Sequence, residues 1–173
     1  MIKFRLLFDK DVEVAWLNEM SNNGWAFTKF ILGFYKFEKC EESEYVYDID
    51  LLSYYYDYDN FKTFMKESDI EVVQRWYRWV YVRKINDYKG FELYSDTESK
   101  IEHYQRILSL FKVAFIIELV CFLFEIGIPL ITREMTAFNF IAISLIVLFA
   151  ICVFGAYSKT QEKLKYYKNI LET

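Results

Sequence analysis

Between Ala137 and Tyr157 the chain reads AFNFIAISLIVLFAICVFGAY, with no charged residue. A helix of that length crosses a hydrocarbon core of roughly 30 Å, so this run constrains the fold more than any other feature. Just before it lies FKVAFIIELVCFLFEIGIPLI, Phe111–Ile131, almost as apolar but carrying Glu118 and Glu125. Only the polar TREMT separates the two runs. A transmembrane helical hairpin is therefore predicted over residues 107–157, with spans at 107–131 and 137–157.

Positive charge sets the expected orientation. Lys100, Arg106 and Lys112 precede the first span, Lys159, Lys163, Lys165 and Lys168 follow the second, and the turn has Arg133 alone. By the positive-inside rule both termini of a two-pass protein of the cell membrane lie in the cytoplasm. Framed as 107–126 and ended by Gly127 and Pro129, the first span buries Glu118; framed as 113–131, it buries Glu125. Either carboxylate costs on the order of 2.5–3.5 kcal/mol at mid-bilayer unless it is protonated, paired or facing protein. Seven residues is nearly two helical turns, so both project from one face, expected toward Asn139 and Ser144 or another subunit. A polar seam between helices and a proton- or cation-sensing site both fit.

The preceding 106 residues have a different composition, with 15 Lys/Arg against 20 Asp/Glu. This acidic head disfavours direct contact with nucleic acid, whose phosphates require a basic surface. The N-terminus meets acidic residues too early for a signal-peptide core, which places the head in the reducing cytoplasm. Cys40, Cys121 and Cys152 show no metal-ligand spacing.

The head repeats itself. WLNEMSNNGWAFTKFILGFYKFEK (Trp16–Lys39) and FKTFMKESDIEVVQRWYRWVYVRK (Phe61–Lys84) share a pattern at an offset of 45 residues, as do IKFRLLF and YVYDIDL before them. Read as strand, helix, strand, twice, the pattern predicts an α+β, ferredoxin-like (split βαβ, βαββαβ) domain over 1–94. The first helix is expected over 11–22 with Asp9 or Asp11 as cap and Asn23-Gly24 as stop. The second is expected over 59–67, capped by Asp57 or Asp59. A helical linker, 95–106, follows with Ser95 and Glu98 at capping-box spacing. Residues 158–173 read as a basic amphipathic tail lying near anionic lipid or against the head.

In that arrangement strands one and three are neighbours, so Asp48 and Asp50 are expected to pair with Lys3 and Arg5 as structural ion pairs rather than to hold a metal. Leu32, Phe34, Tyr77 and Trp79 fall on the open sheet face and are the expected partner-binding residues. Because both parities of these strands are apolar, a partner, a second copy or the rest of the chain should cover that face. RNA-recognition modules place stacking aromatics where this chain has charges, so RNA is set aside. His103 sits on a polar helical stretch and reads as solvated, and SYYYDYDN reads as packing. No phosphate loop, nucleophile elbow or zinc motif occurs, so a non-enzymatic protein without cofactor or metal is expected.

WLNEMSNNGW, FYKFEK, YVYDIDL, WVYVRK and ELYSDTESKIEHYQRI together resemble the bacterial, chiefly Firmicute, family named domain of unknown function 2812. The resemblance spans Met1 to about Ile107. Where a second Gly-Trp would stand before the last strand, this chain has Asp69-Ile70. The resemblance implies C-terminal membrane helices, no known catalytic residues, and genes often beside a PadR-type transcriptional repressor. It makes a membrane-anchored regulatory protein the leading expectation, with that repressor and the lipid bilayer as partners and a homo-oligomer through membrane helices or sheet edges as another. A small-ligand or lipid sensor, or an accessory subunit of a transporter, is the alternative.

Overall fold

A computed structural model describes residues 1–52 and 58–172, and divides the chain into a head, Met1–His103, and a helical unit, Tyr104–Thr173. The head has the order β1 (Ile2–Phe4), α1 (Lys10–Asn22), β2 (Trp25–Ile31), β3 (Phe34–Lys39), then β4 (Tyr45–Leu51), α2 (Tyr58–Glu67), β5 (Glu71–Trp76), β6 (Trp79–Ile85). It is α+β, and the 45-residue repeat is present, but each copy is βαββ instead of βαβ. The predicted ferredoxin-like sheet of four strands is replaced by two antiparallel sheets of three, ordered β1-β3-β2 and β4-β6-β5.

The reason is local. Each long aromatic run that reads as one strand folds back on itself at a two-residue turn, Leu32-Gly33 in the first copy and Tyr77-Arg78 in the second. Leu32 (φ 46°), Gly33 (φ 86°) and Tyr77 (φ 56°) have the left-handed backbone that such tight hairpins require. At Gly33 a Cβ would lie 2.9 Å from the Phe4 ring, so β1 itself holds this turn tight.

The backbone preserves the repeat more faithfully than the side chains do. The β2–β3 ladder shifts register between Phe27 and Lys29, and the β5–β6 ladder shifts between Val72 and Gln74, at corresponding positions. After α1 the chain passes through Gly24 at φ 75°; after α2 it passes through Asp69 at φ 56°. The Gly-to-Asp departure therefore keeps the conformation, because aspartate tolerates the left-handed region better than most residues.

Helix α1 is capped by Asp9, whose side chain accepts from Asp11 N at 3.0 Å. It lies between the sheets. Trp16, Leu17 and Met20 pack with Phe27, Tyr35 and Phe37 of the first sheet and with Tyr47, Ile49 and Tyr81 of the second. The other face of the second sheet packs Val80 and Val82 against Phe61 and Met65 of α2. Both parities of β6 are thus buried, which accounts for its continuous apolar run. The predicted α2 cap Asp57, and residues 53–57 of SYYYDYDN, lie outside the described residues; Asp59 sits in the first turn of α2.

The edges of the two sheets meet at β2 and β5. The Gln74 side chain accepts from Phe30 N and donates to Phe30 O at 2.8 Å, reproducing a backbone ladder with a side-chain amide.

Two long helices complete the chain: α3 (Thr97–Thr132) and α4 (Ala137–Leu171). Both are long and apolar enough to cross a membrane. Helix α3 continues through Gly127 and Pro129 to Thr132, rather than ending at them. Its N-terminal cap is Asp96, which accepts from Ser99 N at 2.8 Å, not the predicted Ser95. The tail is no separate helix. It is the C-terminal part of α4, and within the helical unit Tyr167 stacks on Tyr104 of α3 at 5.6 Å.

Candidate functional site

The aspartates of YVYDIDL organise one polar cluster. On β4, Tyr47 and Ile49 face α1, so Asp48 and Asp50 turn to the α2 side, and both are buried. Asp48 accepts from its own strand at Ile49 N (2.7 Å), from Leu93 N (2.9 Å), and pairs with Lys10 at 2.7 Å. Asp50 accepts from Leu51 N (2.7 Å) and from the Tyr94 hydroxyl (2.8 Å), and its Oδ1 lies 2.9 Å from His103 Nδ1. The Tyr94 and His103 rings lie 5.2 Å apart. The carboxylates thus hold down Leu93, Tyr94 and His103, the segment that opens α3.

Two expectations are corrected here. Lys3 and Arg5 do not pair with these aspartates, because β1 pairs with β3 of its own sheet while β4 belongs to the other. Lys3 Nζ instead meets Met20 Sδ at 3.3 Å, and the Arg5 guanidinium lies 4.7 Å over the Trp16 ring. His103 is not solvated but 2% exposed. The half-buried Tyr94 and buried His103 in LYSDTESKIEHY follow from the pair of buried acids that needs donors, a link invisible until β4 is placed.

A second polar group escaped the sequence reading. Glu13 is buried in α1, and both the Tyr35 and Tyr81 hydroxyls donate to its Oε1 at 2.8 Å. Burial raises its carboxyl above the usual range, while the two phenols partly offset the rise. Both phenols are also pushed up, chiefly by burial and then by the Glu13 charge. The signal was available. Glu13 precedes Trp16, Leu17 and Met20 at helical spacing, on the stripe that faces the core.

The four residues expected to bind a partner divide. Leu32 and Tyr77 are exposed at the tips of the two hairpins, and Phe34 is exposed beside Phe4, ring to ring at 4.9 Å. Trp79 packs against the core around α1 and is half-buried.

In the helical unit, Asn139 Nδ2 donates to Glu125 at 3.3 Å, and its Oδ1 accepts from Thr136 N (3.1 Å) and Thr136 Oγ1 (2.6 Å). Asn139 therefore ties the connecting turn to α3. Ser144 takes no part, because its hydroxyl donates to Phe140 O of its own helix at 2.7 Å. Both Glu118 oxygens are enclosed without a hydrogen-bond partner among the described residues. They border a groove of about 420 Å³ lined by Ala114, Ile117, Cys121, Leu145, Ile146 and Phe149.

Comparison with curated proteins and with solved structures returns no match. A family model described as "Protein of unknown function (DUF2812)" matches residues 9–116.

Proposed function

The chain belongs to the DUF2812 family, whose model covers more than half of it, and from that premise we propose that it is a membrane-anchored regulatory protein. Its reading is non-enzymatic. The head lies in the cytoplasm, both termini on that side, and binds a protein partner through the exposed Leu32, Phe34 and Tyr77. The partner that the family resemblance suggests is a PadR-type transcriptional repressor.

The observation that carries this reading is the placement of large apolar side chains at both hairpin tips. A tight turn requiring a left-handed residue is ordinarily filled by Gly, Asn or Asp. Here Leu32 and Tyr77 take that position and stand in solvent. The folded chain gains little from either, so a binding role explains their presence better than stability does.

The test is affinity purification of the full chain from native membranes in mild detergent, with the recovered proteins identified by mass spectrometry. The pair Leu32→Asp and Tyr77→Asp should lose the partner while leaving thermal unfolding unchanged. Trp79→Asp is unsuitable because it would also disturb the core. Recovery of the chain alone, or a partner that survives the double substitution, overturns the reading.

One observation favours a second reading. The enclosed Glu118 carboxyl beside an apolar groove fits a hairpin that senses a small amphiphile or serves a membrane transporter. Loss of co-purifying transporter with Glu118→Gln, and not with the head substitutions, would favour it.

A further inference from the structure

The two βαββ copies are equivalent, but their sheets are not equally covered. The second sheet has α2 on one face and α1 on the other, whereas among the described residues of the head the first sheet has α1 on one face and no helix packed on its outward face. The alternation of β1 places Ile2, Phe4 and, beyond it, Leu6 on that outward face, with Phe34 opposite Phe4 in register. Shifted by the repeat, Ile2, Phe4 and Leu6 become Tyr47, Ile49 and Leu51. These are 1%, 1% and 0% exposed, against 69%, 57% and 63% for their counterparts. The same positions of the same supersecondary unit are thus buried under a helix in one copy and bare in the other. Stacked repeats normally close such an end with a polar capping unit. Here the end is apolar.

We propose that the outward face of the first sheet receives one amphipathic helix of a protein partner, seated as α1 is seated on the second sheet, with acidic residues flanking its apolar stripe. The inference rests on the protein-partner reading above and assigns that partner's chemistry. The helix follows from the internal repeat. The acidic character follows from Lys29 and Lys36, which stand directly opposite each other across β2 and β3. Like charges so placed repel. Glu38 pairs with Lys36 at 3.2 Å, which leaves one positive charge in excess on the face. A second copy packed face to face would add another such lysine pair, and this argues against self-association. Helix α2 of another copy fits no better: the side that would have to meet the sheet carries Asp59, Lys62 and Lys66. A flat anionic lipid surface would confront the exposed Glu38 and would not need the alternation that the repeat imposes.

The test uses the full chain in its native membrane with a benzophenone amino acid at Phe34, and separately at Tyr77, followed by peptide-level mapping of the adducts. Phe34 should cross-link to an acidic, helix-patterned segment of another protein. Lys29→Glu with Lys36→Glu should cut that yield about tenfold or more, because like charges juxtaposed at an interface cost several kcal/mol. Lys29→Gln with Lys36→Gln should give a smaller loss, which guards against misfolding of the reversed pair. An adduct at Phe34 to lipid, to a second copy or to a non-acidic segment overturns the assignment, as does no adduct or no effect of charge. If Tyr77 alone captures a protein, the wider reading survives and this face is wrongly assigned. If neither position does, both fall.

Discussion

Replacing Gln74 by Ala tests whether the two sheets are joined as described. The Gln74 amide makes two hydrogen bonds to the backbone of Phe30, one accepted and one donated. A typical net contribution is about 0.5–1.5 kcal/mol each, and stranding the Phe30 N–H and C=O adds to the loss where water cannot reach them. Phe30 is half-buried, so solvent replaces part of what is removed, and the total should be about 1–3 kcal/mol. The loss is local. Amide hydrogen exchange on the full chain should show faster exchange at Phe30 and its β2 neighbours in Gln74→Ala, while Tyr35 and Phe37 in the centre of the first sheet hardly change. Gln74→Glu sharpens the test. The carboxylate can still accept from Phe30 N–H, but its other oxygen then faces the Phe30 carbonyl oxygen. It should therefore be at least as damaging as Ala at pH 7, and recover on acidification once the carboxyl can donate. Unchanged protection at Phe30 in Gln74→Ala, or wild-type protection in Gln74→Glu at pH 7, would refute the bridge.

Further outcomes follow from the other clusters. Asp50→Asn weakens charge-assisted hydrogen bonds to Tyr94 and His103, each worth about 1.5–3 kcal/mol, and should open residues 91–103 to limited proteolysis without unfolding the strands. Glu13→Gln keeps the acceptor for both phenols and removes the buried charge. A carboxyl raised in the folded state keeps its proton where the unfolded chain has lost it, so its contribution is full below the ordinary carboxylate range and is lost as pH rises through the raised value. The Gln variant should therefore melt higher than wild type at neutral pH, with the gap closing in acid; a pH-independent gap would contradict this. Asp69→Gly relieves a left-handed residue at φ 56° and should stabilise the head by about 1 kcal/mol in denaturant unfolding; a loss would mean that Asp69 contributes through its side chain.

Much of the architecture was legible before any coordinates. Both apolar runs lie inside long helices, Thr97–Thr132 and Ala137–Leu171, as a stretch of about twenty apolar residues leads one to expect. The 45-residue offset was legible too, because helix openings, polar turns and aromatic runs ending in Lys recur at that spacing, even though Asp69 replaces the glycine of the first copy. The strand count was not. Nothing in FTKFILGFYKF obliges a reader to fold it at Leu32-Gly33, because a leucine at a left-handed position is a poor turn signal. From that missed turn and its counterpart at Tyr77-Arg78 came the wrong sheet, the wrong neighbour for β1 and the unmade pairs of Lys3 and Arg5 with Asp48 and Asp50. His103 was misread for a related reason. Its partner Asp50 lies 53 positions away, and helical periodicity says nothing about contacts at that range. Of the seam expected between Glu118 and Glu125 and the polar residues Asn139 and Ser144, only the Asn139–Glu125 contact is made among the described residues, because Ser144 bonds back to its own helix.

The paired helices are fastened at both ends: Tyr104 stacks on Tyr167, and Asn139 holds Glu125. Sliding one helix along the other by a single turn, about 5.4 Å, would undo both fastenings at once. The pair has no cheap shear coordinate. Were the pair to cross a bilayer, a mismatch of a few ångströms in thickness would favour tilting the two helices as one rod, at a fraction of a kcal/mol per ångström. A change in membrane thickness would in this way be converted to an angle, the same for both helices.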